Sequence, residues 1–360
     1  MLASLGSLAV VLFFLTSVVV GRHHAAWEAL GREWFARGDA ALAAGRPEEA
    51  QMALRTALVY DRESPRYHFR LAQALLAGGR TAEARSYLRG LAERQPGAGP
   101  VQVELARLAA RSGDTNAAAA HYRAAIQGLW EEDPEARRLQ LRLELAQMLV
   151  EDGAALEAQS ELVAAEARLP ADPAIRTRVA ELFRRAGDER RALEEFRTAL
   201  RGNPGYAPAL LGAGRAAFAL REWRAAVTHL RRAVRLLPGE RAAAELLEVA
   251  EAAVAADPFL ERLTSAERAR RTARAVKVSL ARLTACLARS PAPELKALRS
   301  RAQSLEADIT PSQLRRRPES LERAMDLVFA IETRTAEKCG APEGEDRVLL
   351  LLGGSREAQG

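Results

Sequence analysis

Between Phe35 and Ala256 apolar residues recur three and four positions apart, in segments of roughly a dozen residues that end at glycine or proline. This spacing predicts amphipathic helices throughout and leaves no alternating stretch long enough for a strand. The segment from Pro65 to Pro96 is the clearest instance. It holds two helices joined at Gly79 and stopped at Pro96, with Leu71, Ala72 and Leu75 on one face of the first helix and Ala84, Leu88 and Leu91 on the facing side of the second. The same arrangement returns along the chain. Gly45, Gly79, Gly113, Gly153 and Gly187 occupy one phase of it, with Arg221 in place of glycine in a sixth copy. A small residue opening each second helix recurs as Ala50, Ala84, Ala118, Ala158, Ala192 and Ala226, and Pro96, Pro170, Pro204 and Pro238 close second helices at a shared position. The frame divides the chain into copies at 31–64, 65–98, 99–132, 139–172, 173–206 and 207–240. Asp133 to Arg138 interrupt it, and Asp133-Pro134 reads as a helix stop followed by a new start. Arg241 to Ala256 supplies one further helix in phase, the usual cover for the open end of a stack.

A helix-turn-helix unit of 34 residues with a glycine turn, a small residue opening the second helix and a closing proline resembles the tetratricopeptide repeat (TPR). The resemblance spans 31–256 and implies an all-α fold, a right-handed superhelix whose first helices line a concave groove. Positions two, five, nine, twelve and thirteen of each copy would face that groove. Among them Phe35, Phe69, Arg107, Arg111, Leu143, Glu181, Arg184, Arg185, Arg215 and Phe218 are the candidate partner-binding residues. Arginine forks suit carboxylates of a bound peptide, and phenylalanines suit its apolar side chains. The family's Lys/Asn clamp for a C-terminal carboxylate is absent, because Phe35 and Asp39 stand at its first two positions. Chaperone tails are therefore not the expected partner.

The flanks differ from the repeats. Leu2 to Val20 carry no charge, which is long enough for one bilayer crossing, so 1–21 reads as a membrane anchor and 22–30 as its linker. No basic residue precedes the run, whereas Arg22, Arg32 and Arg37 follow it, which by the positive-inside rule puts the repeats in the cytoplasm of a single-pass inner-membrane protein. A signal peptide and a periplasmic body are the alternative. Trp34 falls on the repeat's own aromatic position and is expected in the core; Trp27 fits core or membrane interface equally. Beyond Asp257-Pro258 the frame is lost. Helical segments near 259–289, 292–307 and 318–338 predict a small three-helix appendage over 257–339, followed by a loose tail at 340–360 whose apolar run Val348–Leu352 must dock on the body or bind a partner, docking being the better reading.

Composition narrows the function further. The chain holds 53 Lys plus Arg against 47 Asp plus Glu, and the excess of +6 is mild for 360 residues. The cluster Arg268, Arg270, Arg271, Arg274 and Lys277 could touch anionic lipid headgroups or nucleic acid, but no aromatics interleave to stack bases, so a solvated helix face is the better reading and nucleic acid is not the expected partner. Cys286 and Cys339 are the two cysteines, at ends of the first and third appendage helices that point the same way in an up-down-up bundle. A disulfide is geometrically open to them and would argue for an oxidising compartment, against the cytoplasmic topology. Five histidines are scattered without ligand spacing, and no HExxH, GxSxG or GxxxxGK[ST] occurs. Gly212-Ala-Gly214 matches a loose dinucleotide loop but lies inside a helix, where close packing explains it. The expectation is thus a non-enzymatic scaffold without cofactor, metal or small-molecule substrate, tethered to the membrane and holding a protein or peptide partner in its groove. Its plan is similar to the bacterial lipopolysaccharide assembly protein B family, without that family's CxxC module.

Overall fold

The computed structural model describes the backbone of residues 2–307 and 309–357, and the side chains of 22, 23, 25–307 and 309–354. Eighteen helices and no strands are present among the described residues. Two compact units divide the chain, 1–168 and 169–360.

The first unit contains α1 (Leu2–Ala43), α2 (Pro47–Tyr60), α3 (Pro65–Ala77), α4 (Thr81–Arg94), α5 (Gly99–Arg111), α6 (Thr115–Gln127), α7 (Pro134–Glu151) and α8 (Ala155–Glu166). Each hairpin closes in the way the glycine phase requires. Gly45, Gly79, Gly113 and Gly153 have φ between 69° and 81°, and the next residue's N–H reaches back to the preceding helix, as in Arg80 N–H to Leu75 O at 2.8 Å. This is the left-handed C-terminal motif that a Cβ disfavours. Beneath the turns the small residues Ala50, Ala84, Ala118 and Ala158 are fully buried, and Leu54, Leu88 and Leu162 stack above them without exposure. The interruption at Asp133 to Arg138 lengthens a helix: Asp133 caps α7 by accepting from Ala136 N–H, and Pro134 takes the first helical position.

The second unit contains α9 (Pro173–Arg185), α10 (Glu189–Gly202), α11 (Ala207–Ala219), α12 (Trp223–Leu236) and α13 (Arg241–Ala256), which continue the repeat, then α14 (Ser265–Arg289), α15 (Pro293–Ser304), α16 (Pro311–Arg316), α17 (Pro318–Cys339) and α18 (Gly344–Glu357). Gly212 and Gly214 lie inside α11 as helix-packing residues. A Cβ on Gly212 would stand 2.2 Å from the Phe196 ring, and one on Gly214 2.6 Å from Leu230. Arg221 holds the turn position with φ 60°, a conformation that costs a non-glycine residue about 1 kcal/mol. Its guanidinium donates to Leu351 O of α18 at 2.9 Å, which offers a reason for arginine where the other copies have glycine.

Three expectations change. The appendage has an extra short helix, α16, and the tail is not loose: it forms α18, with Val348, Leu349 and Leu352 buried. An apolar run with a helical period gains more by packing than by fraying. Leu143, placed on the groove, is 5% exposed and belongs to the core. The predicted anchor at 1–21 lies outside the residues whose side chains are described, although the backbone of α1 runs unbroken from Leu2 to Ala43. Among the described residues no helix is long and apolar enough to cross a membrane. Trp34 is half-buried with Arg37 over its ring at 4.6 Å, and Trp27, 43% exposed, packs edge-on against Tyr60 at 5.1 Å.

Candidate functional site

The candidate residues fall into both units, and most are already engaged inside their own. In the first unit a polar ladder links successive first helices. Asp39 pairs with Arg70, Arg70 also donates to Gln73 at 2.8 Å, and Gln73 Nε2 lies 3.4 Å from Glu104. Arg107 then forms a fork on Glu144, with contacts of 3.0, 3.1 and 3.3 Å. Each rung joins the ninth position of one repeat to the sixth of the next. The offset is 31 residues, and 37 across the interruption. Burial opposes the Arg107 cation, but the charge and hydrogen bonds of Glu144, helped by Glu104, outweigh it and raise its pKa above the ordinary value. Arg107 is therefore a stacking residue of the repeats. The sequence reading named it without its partner, although the recurring offset was there to be found.

Around this ladder Phe35 stacks on Tyr67 at 4.9 Å, with the Arg66 guanidinium over its ring at 4.6 Å, and Phe69 packs half-buried against the core formed by Leu88, Leu91 and Leu105. Arg111 differs from them. It sits in the last turn of α5, exposed, with no carboxylate at ion-pair distance among the described residues.

In the second unit Arg184 and Glu181, one turn apart on α9, form two hydrogen bonds of 2.9 and 2.6 Å. That hydrogen bonding, more than burial opposes it, raises the Arg184 pKa. Close by, Glu189 has its pKa raised chiefly by burial. Arg215 reaches Glu240 at 2.9 Å, and Phe218 packs edge-on against Trp223 at 5.3 Å. Arg185, next to the paired Arg184, is exposed and has no carboxylate partner among the described residues. Of the five candidate arginines, Arg107, Arg184 and Arg215 are spent on internal pairs, and Arg111 and Arg185 remain open. Both stand at C-terminal ends of first helices, where a guanidinium is also favoured by the helix dipole. Such groups can fork onto a carboxylate brought by another molecule.

The second unit also contains the cysteine pairing that the sequence left open and a buried polar cluster that no sequence pattern signalled. Cys286 and Cys339 are joined, with their Cα atoms 5.9 Å apart, which staples α14 to α17. One turn or two away, Glu332 is buried beneath α18 and accepts from Ser279 Oγ at 2.6 Å. Arg282 stands 3.5 Å from it and 3.8 Å from Asp346.

Residues 35–99 and 183–250 each match the tetratricopeptide repeat family. No curated protein sequence matches the chain at a significant level. Among solved structures, PilF of Pseudomonas aeruginosa is similar at 17% identity, covering 62% of this chain and 99% of its own, with a TM-score of 0.44. YrrB, described as a TPR protein with an unusual peptide-binding site, is 18% identical over 54% of this chain and 98% of its own, with a TM-score of 0.45. PilW, a type IV pilus biogenesis factor, is 16% identical over 61% and 96%, with a TM-score of 0.42.

Proposed function

With tetratricopeptide repeats in both of its units, we propose that this chain is a non-catalytic scaffold that holds an acidic protein or peptide segment on the first-helix faces of its repeats. The observation that carries the reading is the contrast between Arg111 and Arg185, exposed and uncommitted, and the other candidate arginines, which satisfy carboxylates within the chain. Repeat stacking accounts for the second set and leaves the first for a partner. The uncharged run Leu2–Val20, continuous in backbone with the first repeat helix, tethers the scaffold to a membrane. The likeness in plan to lipopolysaccharide assembly protein B supports work in envelope assembly.

Two sides of the membrane are open to the repeats. The arginines after the apolar run favour the cytoplasm. The linked Cys286 and Cys339 favour the periplasm, because disulfides persist in oxidising compartments and are rare in reducing ones, and this second reading carries more weight because it rests on a specific geometry. The test has two arms. A photo-crosslinking residue placed at Arg111, Arg185 or Phe218 in cells should capture a protein, and Arg185→Glu should abolish the adduct formed from Phe218; an adduct unaffected by charge reversal refutes the arginine site. Thiol alkylation without reductant in intact cells should leave both cysteines unmodified if the body is periplasmic. Free thiols at both would return it to the cytoplasm.

A further inference from the structure

A cleft of about 850 Å³ opens in the second unit between α13, α14 and α18. It exists because the helical stack stops at α13. Arg271 pins the start of α14 to the end of α13, donating to Val254 O at 2.8 Å and Asp257 O at 2.9 Å, and α18 packs through Val348 and Leu349, both buried. The lining is aliphatic at depth, with Val249, Ala275, Val278 and Val348 half-buried or buried. The mouth is charged, acidic on α13 and mixed on the opposite wall. On α13 the lining charges are the exposed carboxylates Glu245 and Glu248. The opposite side brings Arg270 and Arg274 from α14 and Arg347 from α18, together with Glu267 and Glu345. Arg270 pairs with Glu267 and Arg274 with Glu345, but both arginines are more than 70% exposed, and pairs that exposed are weak and can open. Arg347 is exposed and has no carboxylate at ion-pair distance among the described residues.

The volume suits a small ligand. Small ligands occupy pockets of about 300–1,000 Å³ with apolar walls and a few orienting polar groups. A ligand matching this one needs an apolar tail for the aliphatic depth, an anion for the arginine side and a cation for Glu245 and Glu248. We propose that the cleft binds a single-chain zwitterionic amphiphile of the lysophospholipid class, its phosphate toward Arg270, Arg274 and Arg347 and its ammonium toward α13. This goes beyond the scaffold reading and does not depend on it.

Fluorescently acylated lysophosphatidylethanolamine and lysophosphatidylglycerol, titrated below their critical micelle concentrations into the full chain, test it. The ethanolamine probe should bind saturably and at least tenfold more tightly than the glycerol probe, which lacks the cation. Arg270→Gln with Arg347→Gln should weaken both at least tenfold. Glu245→Gln with Glu248→Gln should bring the ethanolamine probe down to the affinity of the glycerol probe. Ala252→Trp, at an exposed lining position that tolerates bulk, should abolish saturable binding while the circular dichroism melt stays unchanged. Absence of saturable binding to the folded wild-type chain would overturn the site, as would binding that Ala252→Trp leaves intact. Equal losses for the two probes on neutralising Glu245 and Glu248 would overturn the zwitterion assignment.

Discussion

Replacing Glu332 by glutamine probes the buried carboxyl cluster that holds α18 in place. Glu332 has no exposure and accepts from Ser279 Oγ at 2.6 Å. Its pKa is raised from an ordinary 4.5 to about 7, first by burial and then by the neighbouring Asp346, against the pull of Ser279 and Arg282. Asp346 is raised as well, again chiefly by burial, so the proton belongs to the pair. Between pH 4.5 and 7 the folded chain holds a proton at this site that the unfolded chain has lost. Stability contributed by the cluster is therefore complete near pH 4.5, falls as pH rises to about 7 and is flat above it. The total is about 3.5 kcal/mol, at about 1.4 kcal/mol for each tenfold change in proton affinity between 4.5 and about 7. Glutamine keeps a neutral group of the same shape, able to accept from Ser279 and donate to Asp346. Glu332→Gln should match the wild type near pH 5 and protect α17 and α18 amides from hydrogen exchange about three hundredfold better at pH 8. Comparing the two proteins at each pH cancels the intrinsic pH dependence of exchange. It also cancels the opposite slope from His121 and His229, whose pKa values burial lowers. Protection factors that stay parallel from pH 5 to 8 would refute the shared proton.

Two further perturbations read the packing. Cys286→Ser with Cys339→Ser should lower the stability of the second unit by about 2–4 kcal/mol, as expected for opening a loop of 53 residues, and reductant should produce the same shift in the wild type's melt but none in the variant. Gly212→Ala should cost about 1–3 kcal/mol by denaturant titration, because its Cβ meets the Phe196 ring at 2.2 Å, and Phe196→Leu in the same chain should recover part of the loss.

The sequence alone determined the repeat. Turn glycine, small residue and closing proline act within one 34-residue unit, and each unit presents the same local demand: Gly79 must take a left-handed turn, and Ala84 must let two backbones approach. Such constraints are written in spacing, so helices, turns and hairpins were legible from Pro65–Pro96 and its copies. The open arginines Arg111 and Arg185 were legible too, but only as members of a larger set. What separated them from Arg107, Arg184 and Arg215 was the position of carboxylates, including Glu144, 37 residues from Arg107, and Glu240, 25 from Arg215. Tertiary structure decided the second unit's end: the cysteine pairing that the sequence left open closes across 53 residues, Ser279 meets Glu332 across the same distance, and Arg221 meets Leu351 across 130. No periodic pattern relates those pairs. Their meeting depends on how α14, α17 and α18 pack once the repeat has stopped, because burying apolar faces is non-directional and leaves the choice of partner to the shape of the whole core.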